Sequence, residues 1–207
     1  MRSLVLYGSV GLAMLLSCDG PVNVGVKLPT ADDRPHPQLS DELNGVLENC
    51  GVIDLPYSFE LGAYEWQGGD LSLEETRFIT GDAQLESAVT IGVLPESPGA
   101  IHVLWLYPAD DMLPMLSTFS TDGELKQVEG LAMGECHPDA CYACKETITI
   151  DRRLRLLATD SVRDCECDST HSPLPGRCRR FVRSRAGLIT DRGVLLSPIQ
   201  QQELTGD

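Results

Sequence analysis

The hydrophobic pattern divides the chain into three stretches. From Leu4 to Leu16 apolar residues run almost without interruption. From Asp19 to Leu39 the pattern dissolves among Pro21, Pro29, Pro35 and Pro37 and the charges of Asp32, Asp33 and Arg34. From Ser40 to Leu196 short apolar segments alternate with turn residues. The first run suits a secretory h-region of about 7–15 residues and falls short of the about 20 that span a bilayer. No second run approaches spanning length. The prolines of the second stretch prevent regular structure there and predict a spacer.

One helix is expected, over 40–50. Ser40 has the chemistry of an N-cap, and Asp41 and Glu42 favour a helix N-terminus. Leu43, Val46 and Leu47 fall on one face, Gly45 interrupts, and Gly51 stops the run. The rest reads as strands. Tyr57 to Trp66 alternates in part, with Tyr57, Phe59 and Leu61 in phase; Ala83 to Leu94 places Val89, Ile91 and Val93 in phase. Ile101 to Tyr107 is apolar on both faces, which predicts a central strand.

Three hairpins follow. Met115–Thr121 and Glu124–Ala132 flank Asp122-Gly123, a dipeptide suited to a tight turn. Glu146–Ile150 and Leu154–Val162 flank Asp151-Arg152-Arg153. Arg179–Ser184 pairs with Leu188–Leu196, with Gly187 and Gly193 as turns. The expected fold is therefore mainly β: an antiparallel meander, closed as a small barrel or stacked as a sandwich, with one short N-terminal helix. Residues 40–196 form a single β-rich domain with a cysteine-rich part at 136–178, and residues 197–207 form a frayed tail. No internal repeat suggests a propeller or solenoid.

Composition changes this picture in three ways. Aromatics are only 5% of the chain, so the core must rest on Leu, Val and Ile. The formal net charge is −15, unevenly spread: residues 18–145 carry 22 acids and 5 bases, residues 146–207 carry 9 acids and 10 bases. Such acidity disfavours nucleic acid and anionic lipid headgroups as partners. Finally, beyond Cys18 there are seven cysteines: Cys50, Cys136, Cys141, Cys144, Cys165, Cys167 and Cys178. Outside the cytoplasm such density means disulfides, and an odd number leaves one unpaired.

Cys167 and Cys178 flank a loop containing Pro173, Pro175 and Gly176, and are expected to bond at its base. Partners across the turn at Arg152 have numbers summing to near 304; Cys141 and Cys165 sum to 306 and are expected to be cross-strand neighbours. Cys50 could staple the helix to Cys136 or Cys144. The same cysteines admit a metal reading, since Cys136, Cys141, Cys144, Cys165 and Cys167 could supply thiolates, with His137 and His171 near in sequence. Zinc sites, however, usually use two Cys-x2-Cys knuckles, and only Cys141-Tyr142-Ala143-Cys144 is present. A thioredoxin-type pair should open a helix, and here a β-rich segment follows. With Lys145 that motif resembles the Cys-x-x-Cys-Lys haem attachment of cytochrome c nitrite reductases, without that family's further haem sites.

Other chemistry is sparse. There is no Gly-x-Ser-x-Gly and no His-Glu-x-x-His. His102, Trp105 and Tyr107 lie on an apolar strand and read as packing. Asp32-Asp33 and Asp110-Asp111 read as loop charges, and Glu74-Glu75 gives adjacent carboxylates with no set separation. Arg177, Arg179, Arg180, Arg183 and Arg185 form the one basic run; on a strand Arg179, Arg183 and Arg185 share a face with Phe181, and Arg180 lies opposite. That run either complements the acidic remainder or binds an acidic partner or polyanionic glycan.

Arg2, the apolar run and Leu15-Leu16-Ser17-Cys18 resemble the signal and lipobox of bacterial lipoproteins. The resemblance implies removal of residues 1–17, diacylglycerol on the Cys18 thiol, usually acylation of its amine, and a lipid-anchored spacer over 18–39. Two or three acyl chains hold a protein stably at a bilayer where one does not. Asp19 resembles an inner-membrane retention signal, which does not decide the membrane. The layout is similar to that of small β-rich lipoproteins of Gram-negative envelopes. The expectation is a non-enzymatic envelope lipoprotein in a binding or scaffolding role, with no cofactor, no nucleic acid and an envelope protein or glycan as possible partner. A metal-binding or redox protein is the alternative.

Overall fold

The computed structural model describes residues 41–61, 69–95, 99–109, 112–134, 136 and 138–204. The signal segment, Cys18, the spacer, the Ser40 cap, Asp110-Asp111, His137 and the part of the first expected strand beyond Leu61 lie outside them.

The fold is mainly β, with antiparallel sheets and two helices. In chain order the elements are α1 (Asp41–Asn49), β1 (Tyr57–Glu60), β2 (Gly69–Asp70), α2 (Leu73–Thr80), β3 (Val89–Val93), β4 (Ala100–Tyr107), β5 (Leu113–Ser120), β6 (Leu125–Gly130), β7 (Tyr142–Ile150), β8 (Arg155–Cys167), β9 (Pro173–Thr190), β10 (Gly193–Leu196) and β11 (Gln200–Glu203). A five-stranded sheet runs β2-β3-β4-β5-β6. A six-stranded sheet runs β1-β7-β8-β9-β10, with β11 also on β9. Two separate sheets make a sandwich rather than a barrel.

Period-two alternation explains the layering. In β4, Val103 and Trp105 point to one side and join Leu43 and Val46 of α1, Ile79 of α2 and Phe119 of β5 in a buried cluster. Leu104 points the other way and meets Leu116, Ile148, Ile150, Leu156 and Ile189 between the sheets. β4 is thus the middle strand of its sheet and covered on both faces, as its unbroken apolar run predicts. The low aromatic content is concentrated here. Trp105 Nε1–H donates to Ser117 Oγ at 2.8 Å, and the Ser117 hydroxyl donates to the Ile79 carbonyl at 2.6 Å, so the buried indole is satisfied. Phe78 stacks on Phe119 at 5.1 Å between ring centres.

The second helix was not expected, although its signature stands in the sequence. Ser72 and Glu75 form a capping box: Ser72 Oγ accepts from the Glu75 N–H at 3.2 Å, and Glu75 Oε2 accepts from the Ser72 N–H at 2.8 Å. Gly81, at φ 66°, ends the helix in the left-handed conformation. The strand expected from Ala83 begins only at Val89.

Two further corrections concern the C-terminal part. Gly187 is not a turn: β9 runs unbroken through it, and the turn falls at Asp191-Arg192. The expected tail at 197–207 instead contains β11, paired with β9 from Gln200↔Ser184 to Glu203↔Phe181. An all-polar strand such as Gln200–Glu203 has no hydrophobic alternation to announce it. At the corner where β6 and β10 approach, the Gln127 side chain replaces a strand neighbour. It accepts from the Val194 N–H at 2.6 Å and donates to the Val194 carbonyl at 3.3 Å. A Cβ on Gly193 would stand 1.6 Å from Gln127 Oε1, so only glycine permits this approach.

Candidate functional site

The cysteine-rich part closes one end of the β7-β8-β9 ribbon. Three disulfides form there: Cys136–Cys144, Cys141–Cys167 and Cys165–Cys178, with Cα separations of 5.5, 5.9 and 4.0 Å. The expected Cys167–Cys178 bond is not made. Register decides this: Cys165 lies opposite Cys178, and an irregularity before Cys167 sets that residue opposite Pro173. Cys141 and Cys165 are neighbours, as their numbers suggested, since the Cys165 N–H donates to the Cys141 carbonyl at 2.9 Å. Each nevertheless bonds elsewhere, because side-chain direction rather than backbone proximity selects the sulfur partner.

Cys50 does not staple α1 to the ribbon; it is a free cysteine packed against the Trp105 cluster at the opposite side of the five-stranded sheet. Burial pushes its thiol up, against a hydrogen bond with Thr90 that pulls it down, which makes it a weak nucleophile.

These bonds bear on the alternative chemistries. Cys141 and Cys144 belong to different disulfides, so they do not form a Cys-x-x-Cys redox pair, and the motif opens a strand rather than a helix. Cys136, Cys144 and Asp160 bring three potential ligand atoms within 4.8 Å of one another. Bonded to each other, however, the two sulfurs carry no thiolate charge, and Asp160 already accepts from Arg183. His171 is exposed at the loop tip, where Asp168 accepts N–H groups from Thr170 and Ser172. Glu75 is spent on the helix cap.

Beside the disulfides lies a buried ionic row. Glu146, Asp160 and Arg183 face one another across β7, β8 and β9 and are all buried. Arg183 donates through Nε to Asp160 Oδ2 at 3.1 Å and through a terminal nitrogen to the Tyr142 hydroxyl at 3.0 Å. Glu146 Oε1 accepts from the Met133 N–H at 2.6 Å. Among the described residues Glu146 Oε2 and Asp160 Oδ1 have no hydrogen-bond partner. Burial pushes the Glu146 carboxyl up, and the Asp160 charge adds to it. Burial pushes the Asp160 carboxyl up as well.

The basic run is likewise largely consumed internally. Arg179 reaches Asp164 at 2.6 Å and Arg177 reaches Glu166 at 3.1 Å. Arg185 donates to the carbonyls of Gly130, Leu131 and Ala132 at 3.4, 3.1 and 2.7 Å. The shared face read from the sequence is present: the guanidinium groups of Arg179 and Arg183 lie 5.5 and 5.9 Å from the Phe181 ring centre. Arg180 alone in this run points to the other face, and its register partner is Arg163. Sequence reading did not single out Arg163 and met Lys145 only as the last residue of the Cys-x-x-Cys-Lys motif, because only strand pairing brings them to Arg180. His102 is fully buried, with Nδ1 3.1 Å from Thr118 Oγ1 and Nε2 unpartnered; burial pushes it down to about 4. It is a core residue, and Trp105 packs as expected.

Among the described residues no helix is long and apolar enough to cross a membrane, and three disulfides fit an oxidising, extracytoplasmic compartment. Comparison of this chain with protein-family models, with curated proteins and with solved structures finds no match.

Proposed function

We propose that this protein is a non-enzymatic bacterial envelope lipoprotein, anchored through acylated Cys18 and acting as a binding or scaffolding module. The observation that carries the reading is the pairing of all six cysteines of the 136–178 region in disulfides. With its sulfurs oxidised, the one part of the chain with evident chemical character has a structural role. The buried Glu146, Asp160 and Arg183 point the same way: Arg183 is bonded to Asp160 and Tyr142, and Glu146 to the Met133 backbone. The lipobox resemblance supplies the anchor, and the disulfides agree with the compartment that anchor implies.

The test is intact-mass spectrometry on protein extracted from its own membrane, before and after reduction and alkylation. The expected result is a lipid-modified chain beginning at Cys18, with three disulfides and one alkylatable thiol at Cys50. A chain cleaved without lipid would remove the anchor. A bound zinc or haem mass with several free thiols in 136–178 would transfer function to that cluster and overturn the proposal.

A further inference from the structure

The outer face of the six-stranded sheet has a charge balance opposite to that of the whole chain. The chain holds 31 acids and 16 bases. Yet the register of β1, β7, β8 and β9, followed up to Cys165 and from Cys178, places Lys145, Arg155, Arg163 and Arg180 on this face and Glu60 as its one acid. Lys145 pairs with Glu60 at 2.7 Å, and Arg155 with Asp151 of its own hairpin at 2.6 Å. Arg163 and Arg180 are different. They stand directly opposite each other, both exposed, and neither has a carboxylate partner among the described residues. Arg163 donates to the Cys178 sulfur, at 3.6 Å. Like charges placed opposite each other across a sheet weaken it, so the pair is explained better by something it binds than by the fold.

The same face carries exposed leucines. Leu157, Leu188 and Leu195 are 48%, 44% and 65% exposed, with Leu188 opposite Leu195 in the β9–β10 ladder. Leu204, 49% exposed, lines a shallow pocket of about 280 Å³ with Lys145, Ser161, Arg163 and Arg180. Cations and aliphatic side chains on one surface match the phosphate and acyl layers of a bilayer.

We propose that this face docks on an anionic lipid surface. Arg163, Arg180 and Lys145 engage lipid phosphates, and Leu157, Leu188 and Leu195 reach the boundary between headgroups and acyl chains. The acidity of the whole chain does not forbid this. Charges more than about 8 Å from the contact are largely screened at physiological salt. The proposal rests on the anchored reading only for proximity: the chain from Cys18 to Asp41 can reach at most about 80 Å, so an anchored domain stays close to lipid.

The experiment uses the Cys18→Ser chain, so that the tether cannot itself bind. It is sedimented with vesicles of phosphatidylglycerol and phosphatidylcholine, and with vesicles of phosphatidylcholine alone. Salt-sensitive binding to the anionic vesicles is expected. Arg163→Gln with Arg180→Gln should weaken it about thirtyfold with circular dichroism and disulfide count unchanged, and Leu157→Ser with Leu195→Ser should weaken it while leaving salt sensitivity in place. Three results would overturn the proposal: wild-type protein that ignores anionic vesicles, an arginine double variant that binds as wild type, or complete competition by inorganic phosphate matched to the lipid phosphate, which would assign a small-anion site. Whether Cys18 carries lipid is read separately by mass, so either idea can fail without the other.

Discussion

The five-stranded sheet is covered on both faces, by α1 and α2 on one side and by the other sheet on the opposite side. Among the described residues the six-stranded sheet is covered on one, and the ends of its β7-β8-β9 ribbon extend past the apolar cluster between the sheets. The two regions are held differently as a result. Burial of Val103, Trp105, Leu116 and Phe119 secures the first. Where the second runs beyond that core, its inner face turns from Ile148, Leu156 and Ala158 to Glu146, Asp160 and Arg183, with the Cys136–Cys144 disulfide beside Asp160. Cross-links and ion pairs take over where the apolar cluster ends.

The difference can be broken from either side. The largest effect should come from Phe119→Ala, which removes a fully buried ring shared by the sheet and α2. A loss of about 4 kcal/mol is expected in urea unfolding, with protection from hydrogen exchange falling throughout the five-stranded sheet. Removing the longest cross-link, which spans 26 residues, by Cys141→Ala with Cys167→Ala should cost about 3 kcal/mol. Its exchange signature should differ, with opening confined to the far ends of β7, β8 and β9. Global opening in the second variant would show that the disulfide end is not a separate unit of stability.

Acid should sharpen the contrast. His102 is held at about 4 by burial, below its ordinary 6.5. The unfolded chain therefore binds the proton first, and stability present above pH 6.5 is lost as pH falls toward 4, by up to about 3 kcal/mol. Glu146, raised by burial, has the opposite sign: its contribution is complete below the ordinary carboxyl range and is lost as pH rises through its folded value. His102→Gln should flatten the loss of urea midpoint between pH 6.5 and 4. An unchanged acid profile would show that His102 is not the group responsible.

Period-two alternation, a two-sided apolar run at Ile101–Tyr107 and the Asp122-Gly123 turn made the β class, the central strand and the β5–β6 hairpin readable from the sequence alone. These are local signals, each contained in a few consecutive residues. The Ser72–Glu75 capping box is equally local. Crowding of cysteines declared disulfides, and their odd number declared an unpaired thiol. Everything that depends on register was decided by tertiary structure. One irregular position between Cys165 and Cys167 exchanged the disulfide partners. The alternation of β9 sent Arg183 inward to Asp160 and Arg180 outward to Arg163, separating two arginines that stand side by side in the basic run. Sequence specifies which residues a strand offers to each face; which residue of another strand meets them depends on long-range pairing, and that is settled only when the sheet closes on its core.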